Sequence, residues 1–237
     1  MTAIYQREMR SYLTSAVGYV FLAVFYAIAG YYFFATSLVS NSTDLSYVFS
    51  NLFSIVIFLV PMLTMRLFSE ERKQKTDQLF YCAPVTLWSV VLGKFLAAVG
   101  VLCVSLAGTG LYLVILSRYT TLAVGSLVAH YLAFALLGAC YIAVGLFMST
   151  LTDSQITAAV LALAANMLLQ LGEMSSVNTV SPYLPFLPAL MKCIALNQHY
   201  AQIASGVFYP TDVGYFIAFA AVFLCASVGV LAGRKRR

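Results

Sequence analysis

The sequence predicts an all-α integral membrane protein: six transmembrane helices, an N-terminal interfacial amphipathic helix, and a re-entrant segment between helices five and six. Three observations carry that expectation. The 237 residues are 62% hydrophobic and only 9% charged, against about 25% charged in soluble domains. Mean hydropathy is +0.92. Uncharged stretches recur that are long enough to cross a hydrocarbon core of roughly 30 Å, which takes about 20 apolar residues. The same composition excludes a soluble globular enzyme, a disordered chain and a collagenous one. The strand alternation of a β-barrel is missing. The length suits one transmembrane domain over 1–237, with no room for a separate soluble catalytic domain.

Residues 1–15 come first. Ile4, Tyr5, Met9, Tyr12 and Leu13, interleaved with Arg7, Glu8 and Arg10, predict a short helix lying in the inner membrane interface. Span one is placed at 17–37. Ala27-Ile-Ala29 resembles a signal-peptidase site, but the apolar run continues through Gly30–Val39, beyond the 7–15 residues of a signal core. Tyr31, Tyr32, Phe33 and Phe34 anchor its outer end.

Span two is placed at 46–66, span three at 92–116 with Trp88 as an inner anchor, and span four at 126–149. In span four, Ala135, Ala139 and Ala143 recur every four residues, a pattern that suits close helix packing. Span five is placed at 155–173 and span six at 213–233. Region 174–211 between them lacks long charged runs, yet Pro182, Pro185 and Pro188 bar a lipid-exposed helix. A polar helix is expected from about Ala189 to Ser205, stopped by Gly206 and Pro210. The whole of 174–211 reads as an external re-entrant region.

Charge sidedness fixes the expected orientation. With both termini cytoplasmic, eleven of the 13 basic residues fall inside and only Arg118 and Lys192 outside, as the positive-inside rule requires. An odd number of spans would place the C-terminal Arg234–Arg237 cluster on the outer face. That cluster reads as a topology anchor near anionic lipid, not as a nucleic-acid contact.

The main hydrophilic stretch is the cytoplasmic loop 66–94. Ser69 is expected to cap a short helix there, with Glu70 and Glu71 near its positive end and Pro84 ending it. Leu79 and Phe80 are apolar where solvation alone would not need them, which suits docking into a partner's groove. A solvated turn with anchoring charges is the plainer alternative.

Met65-Arg-Leu-Phe-Ser-Glu-Glu-Arg, Thr76-Asp-Gln-Leu, Ala83-Pro-Val and Val91-Leu-Gly-Lys-Phe-Leu-Ala97 resemble the loop of ABC-2 type ATP-binding-cassette transporter permeases. The usual family pattern is E-E-R-x-x-G-T-x-E-L-L-x-x-x-P-V followed by V-L-G-K-F. Gly145-Leu-Phe-Met-Ser-Thr-Leu-Thr-Asp-Ser-Gln155 resembles the family's turn between spans four and five. His199, Gly206-Val207, Asp212 and Tyr215-Phe216 resemble its stretch before span six. Two departures stand out: Lys75 replaces the usual Gly, and Gln78 the usual Glu. The nearest branch resembles the small permeases of gliding-motility and copper-enzyme-maturation systems.

The resemblance implies a six-span permease that works as a dimer, each half clasping one cytoplasmic ATPase subunit through the loop between spans two and three. By match of position, Glu70, Glu71, Arg72, Thr76 and Pro84 are the coupling residues it implies. His199, Gly206 and Asp212 fall in the implied external gate. No cofactor is expected on this chain; ATP and Mg belong to the partner ATPase. A phosphate-binding loop needs G-x-x-x-x-G-K-[ST], whereas Gly93-Lys94 is followed by Phe95 and has Trp88 where the first Gly belongs.

Gln155, Asn166, Gln170 and Glu173 lie near one face of span five. Such side chains are costly toward lipid and face a bundle interior or a water-filled path. Interhelical hydrogen bonding explains the stripe as well as a path does; the resemblance, in which spans two and five line the route, favours the path.

Other chemistry finds little support. Cys82, Cys103, Cys140, Cys193 and Cys225 form no CxxC pair and read as buried thiols. His130 and His199 have no nearby second ligand set in the sequence. No Ser-His-Asp set or Gly-Ser-Gly elbow occurs. A membrane lipid-processing enzyme would need clustered His or acidic residues at one interface, and an ion-coupled carrier would need mid-membrane charge pairs and internal repeats. The resemblance therefore implies an exporter, and an apolar path with a few amides suits amphiphilic or lipid-like cargo.

Overall fold

A computed structural model of the chain describes residues 2–39, 46–75, 86–117, 124–175, 196–206 and 209–235. Among these the secondary structure is helical throughout. Helix α1 is Thr2–Thr14 and α2 is Ala16–Phe33. Ser15 divides them in an extended conformation, and its Oγ accepts the Gly18 N–H at 3.4 Å, an N-cap of the usual kind. The turn is tight: a Cβ on Gly18 would sit 2.0 Å from the Tyr12 carbonyl oxygen, so only glycine fits. The last turn of this span, Phe34–Leu38, widens to a π-helix.

Helix α3 is Ser46–Thr64 and carries Pro61 inside it. A turn at Met65 separates it from α4, Arg66–Lys73. Helix α5 is Leu87–Leu116, opened by Thr86, whose hydroxyl accepts the Ser89 N–H at 3.4 Å. Helices α6, α7, α8 and α9 are Val124–Leu151, Gln155–Ser175, Leu196–Ala204 and Pro210–Lys235.

Among the described residues, five segments are long and apolar enough to cross a membrane: Ala16–Ser37, Tyr47–Lys73, Leu87–Leu116, Gly125–Leu151 and Pro210–Arg234. Helix α7 differs. It is 21 residues long, about 31 Å at 1.5 Å per residue, but its described apolar part is the shorter Gln155–Gln170.

Three expectations need correction: Cys140 is buried as expected but Cys103 and Cys225 are exposed, and two helix starts differ. Ser69 does not cap α4: the helix begins one turn earlier, with Met65 at its cap and no side-chain bond there. Ser69 turns its hydroxyl back to the Met65 carbonyl, the alternative open to serine within a helix. The last span starts at Pro210, not 213, because proline is preset for the first helical position, where its missing N–H has no partner to lose. Gly206 closes α8 with φ of +86°; the part of that expected helix before Leu196 lies outside the described residues.

Helix α6 is the centre of the bundle and packs against α3, α4, α5, α7, α8 and α9. Phe134, Leu137, Cys140, Tyr141, Ile142 and Ala143 on it are fully buried. Close approach is built in: a Cβ on Gly145 would meet Thr64 Oγ1 at 2.2 Å, and one on Gly138 would meet Leu102 Cδ2 at 2.3 Å. Packing of this kind, not burial from water, holds membrane helices together. On the outside, Leu111, Val160 and Ile217 are each over 60% exposed, surfaces that suit lipid and not water.

Candidate functional site

At one end of the bundle, four charges from three helices meet. Lys94 stands on the second turn of α5 and is 1% exposed. Its Nζ donates to the Leu67 carbonyl at 2.6 Å, lies 2.9 Å from Glu71 Oε2 and 3.3 Å from Glu8 Oε1, and sits over the Phe68 ring. Arg7 closes the circuit at 2.7 Å from Glu8 and 2.9 Å from Glu71. Two cations thus face two carboxylates, the pairing that buried charges require. Burial works to raise the Glu8 carboxyl, but Lys94 and Arg7 outweigh it and hold the group below its ordinary value.

The circuit joins α1, α4 and α5. Helix α1 is drawn onto α5 because Gly100 leaves room for it: a Cβ there would meet Met9 Cε at 2.4 Å. Tyr12 of α1 donates to the Leu63 carbonyl at 2.9 Å. Arg66 pairs with Glu70 at 3.1 Å and lies over the Tyr12 ring. Between α1 and α4 a polar cavity of about 360 Å³ opens, lined by residues that include Arg7, Glu8, Glu70, Glu71 and Lys94.

The far end of α4 is fastened to the turn between α6 and α7. Arg72 donates to the carbonyls of Thr150 at 2.8 Å and Thr152 at 3.1 Å, and pairs with Asp153. Arg234 adds a bond to the Leu151 carbonyl at 3.3 Å. Two guanidinium groups therefore cap the C-terminus of α6, where unpaired carbonyls concentrate negative charge.

The structure brings Glu70, Glu71 and Arg72 to this one end. Thr76 and Pro84 lie outside the described residues, as do Gln78, Leu79 and Phe80. On α7, Asn166 is fully buried, and neither polar atom of its amide has a hydrogen-bond partner among the described residues. Gln155 and Gln170 are half-buried. Glu173 lies within the helix, but its side chain falls outside the described residues.

At the opposite end, the fold supplies His199 with the neighbour that the sequence did not offer. His199 Nδ1 donates to Asp212 Oδ1 at 2.7 Å, and its ring stacks on Tyr215 at 4.3 Å. Gln202, with its amide nitrogen turned inward, donates to both Asp212 oxygens at 3.1 and 3.2 Å. Asp212 lies in the first turn of α9 and is buried, where the helix N-terminus favours a carboxylate. About 33 Å of helix separates it from Arg234 at 1.5 Å per residue. Gly206 does not join this cluster; it ends α8 beside it.

Sequence reasoning passed over Arg7, Glu8 and Lys94 as functional residues. Lys94 was legible: a cation flanked by Val90, Val91, Phe95 and Leu96 must find buried partners if its helix enters the membrane. Its partners were not, because Glu8 and Glu71 are distant in the chain.

A family model described as ABC-2 family transporter protein matches residues 2–231. A search of curated proteins returns no match. The match takes in the charged circuit, the α6–α7 turn and the His199–Asp212 pair together, so the chain belongs to the ABC-2 transporter family and is a multi-pass membrane transport permease.

Proposed function

We propose that this chain is the transmembrane subunit of an ATP-binding-cassette exporter that moves an amphiphilic or lipid-like substrate with ATP hydrolysed by a separate subunit. It works as a dimer of six-span halves, α7 being the fifth span, with both termini cytoplasmic. ATP and Mg are held by the partner ATPase. The loop 66–94 receives the ATPase, and substrate passes between faces of α3 and α7, past Gln155, Asn166, Gln170 and Glu173. The His199–Asp212 pair, with Gly206, closes the outer end.

One observation carries the reading. Helix α4, which holds Glu70, Glu71 and Arg72, is tied at its flanks to α1 and α5 through Glu71 and at its end to the α6–α7 turn through Arg72. A push on such a helix reaches several spans at once. Family membership supports the rest, since ABC-2 permeases generally pair with an ATPase subunit.

Reconstitution tests it. The chain alone should hydrolyse no ATP, and with a partner ATP-binding-cassette ATPase should show ATP-dependent export of a fluorescent phospholipid from vesicles. Glu71→Ala and Pro84→Ala should each lower the ATPase response to assembly severalfold. Unchanged assembly and activity in both variants would remove the loop from the coupling role.

A further inference from the structure

At the junction between α3 and α4 Met65 keeps helical dihedrals, but the hydrogen-bond ladder is interrupted and other helices take up the freed groups. In an unbroken helix the Phe68 N–H would bond the Thr64 carbonyl and the Leu67 N–H the Leu63 carbonyl. Phe68 N–H donates to Ser149 Oγ at 3.1 Å, and Ser69 N–H reaches the same oxygen at 3.3 Å. Ser149 in turn donates to the Met65 carbonyl at 3.3 Å. One hydroxyl with two accepted bonds and one donated bond is at full capacity. Tyr12 takes the Leu63 carbonyl at 2.9 Å. Ser149 is fully buried, so no water competes for these groups. A side chain inserted into the backbone ladder is a recognised cause of a helix break, and Pro61 one turn earlier removes another ladder bond.

The same helix that carries Ser149 ends two residues later at Leu151, where Arg72 grips Thr150 and Thr152. Helix α4 is thus bolted at both its ends to the tail of α6, while the hydrogen-bond ladder between it and α3 is interrupted. We propose that Ser149 is a positioning residue for transport: its hydroxyl keeps α3 and α4 separate at Met65 and fixes α4 to α6, so displacement of α4 is delivered to the α6–α7 turn and not along α3. The inference rests on α4 receiving the motion of an ATPase.

Hydrogen exchange on the full permease assembled with its ATPase tests this, comparing the nucleotide-free complex with one trapped by ATP, Mg and vanadate. In the wild type, trapping should change exchange at residues 66–75 and at 150–156 together. In Ser149→Ala the Phe68 N–H can return to the Thr64 carbonyl. The response at 150–156 should then fall at least threefold, while 66–75 still responds and ATP turnover stays within twofold. Ser149→Thr, which keeps the hydroxyl, should restore the response. Equal responses at 150–156 in wild type and Ser149→Ala overturn the proposal, as does failure of Ser149→Thr to differ from Ser149→Ala. Should Ser149→Ala not assemble, Arg72→Gln severs the second attachment. Loss of the 150–156 response there supports delivery through α6, and its retention overturns it. A wild-type complex with no response at 66–75 would overturn the coupling reading itself, and this inference with it.

Discussion

Lys94 Nζ lies 2.9 Å from Glu71 Oε2 inside the bundle, and this pair joins the start of a membrane span to the helix that faces the cytoplasm in our reading. Removing one partner of a buried pair costs about 3–5 kcal/mol, because the other charge is left without compensation. Lys94→Met should therefore destabilise the protein strongly, and Glu71→Gln somewhat less, since Lys94 keeps Glu8 at 3.3 Å. The double variant should cost less than the two single costs added together. Thermal unfolding of the four proteins in one detergent gives the coupling directly; strict additivity would mean the pair contributes nothing as a pair.

Glu8 makes the same circuit sensitive to acid. Its folded carboxyl titrates below the ordinary value of 4.5, so its contribution is complete above that value and is lost as pH falls through the lower folded one. As pH falls below 4.5 and through that lower folded value, the wild type should lose the docking of α1 that Glu8 supports. Glu8→Gln, with no charge to titrate, should start weaker at pH 7 and lose less over that range. Exchange at residues 2–14, followed against pH in both proteins, distinguishes them; parallel curves would exclude Glu8 as the source.

Lys75 is a prediction about backbone strain. Its φ is +56°, a left-handed conformation that costs an L-residue roughly 1–2 kcal/mol. The family pattern that this chain resembles has glycine there. Lys75→Gly relieves the strain but gives back about 0.5–1 kcal/mol in unfolded-chain entropy. A net gain of up to about 1 kcal/mol should raise Tm by about 2–4 °C, and Lys75→Val should lower it.

The His199–Asp212 pair should behave as a latch between α8 and α9. Asp212→Ala leaves the His199 N–H and the Gln202 amide without their acceptor, at a cost of about 1–3 kcal/mol. His199→Ala should cost less, because Gln202 still serves the carboxylate. Accessibility of a cysteine placed at Ser205 to a water-soluble thiol reagent should rise in both variants. A rate equal to wild type in Asp212→Ala would mean that the pair holds nothing closed.

Much of this architecture was legible because a membrane makes backbone and charge rules strict. The spans follow from apolar runs, but the helix starts marked by Ser15, Thr86 and Pro210 went unread, although each has known capping chemistry. The α3–α4 break was not legible. Nothing near Met65 predicts it except Pro61, since the hydroxyl that creates it belongs to Ser149. The charged circuit was hidden for the same reason: Glu8, Glu71 and Lys94 each read locally as interfacial charges, and only tertiary packing joins them. Asn166 shows the converse, a polar residue whose position was legible and whose partner was not.

Asn166 separates stability from transport. A buried amide with neither atom hydrogen-bonded among the described residues costs about 1–3 kcal/mol, and it stands where a leucine would fill nearly the same space. If its only role were packing, Asn166→Leu should be neutral or should stabilise the fold, with transport unchanged. If it belongs to the path, the same substitution should still be neutral or stabilising while export falls severalfold, because the amide is retained for a ligand and not for the fold. Thermal stability and ATP-dependent export of a fluorescent phospholipid should thus move in opposite directions. A joint fall in both would show that Asn166 has a structural partner, and would take it out of the proposed path.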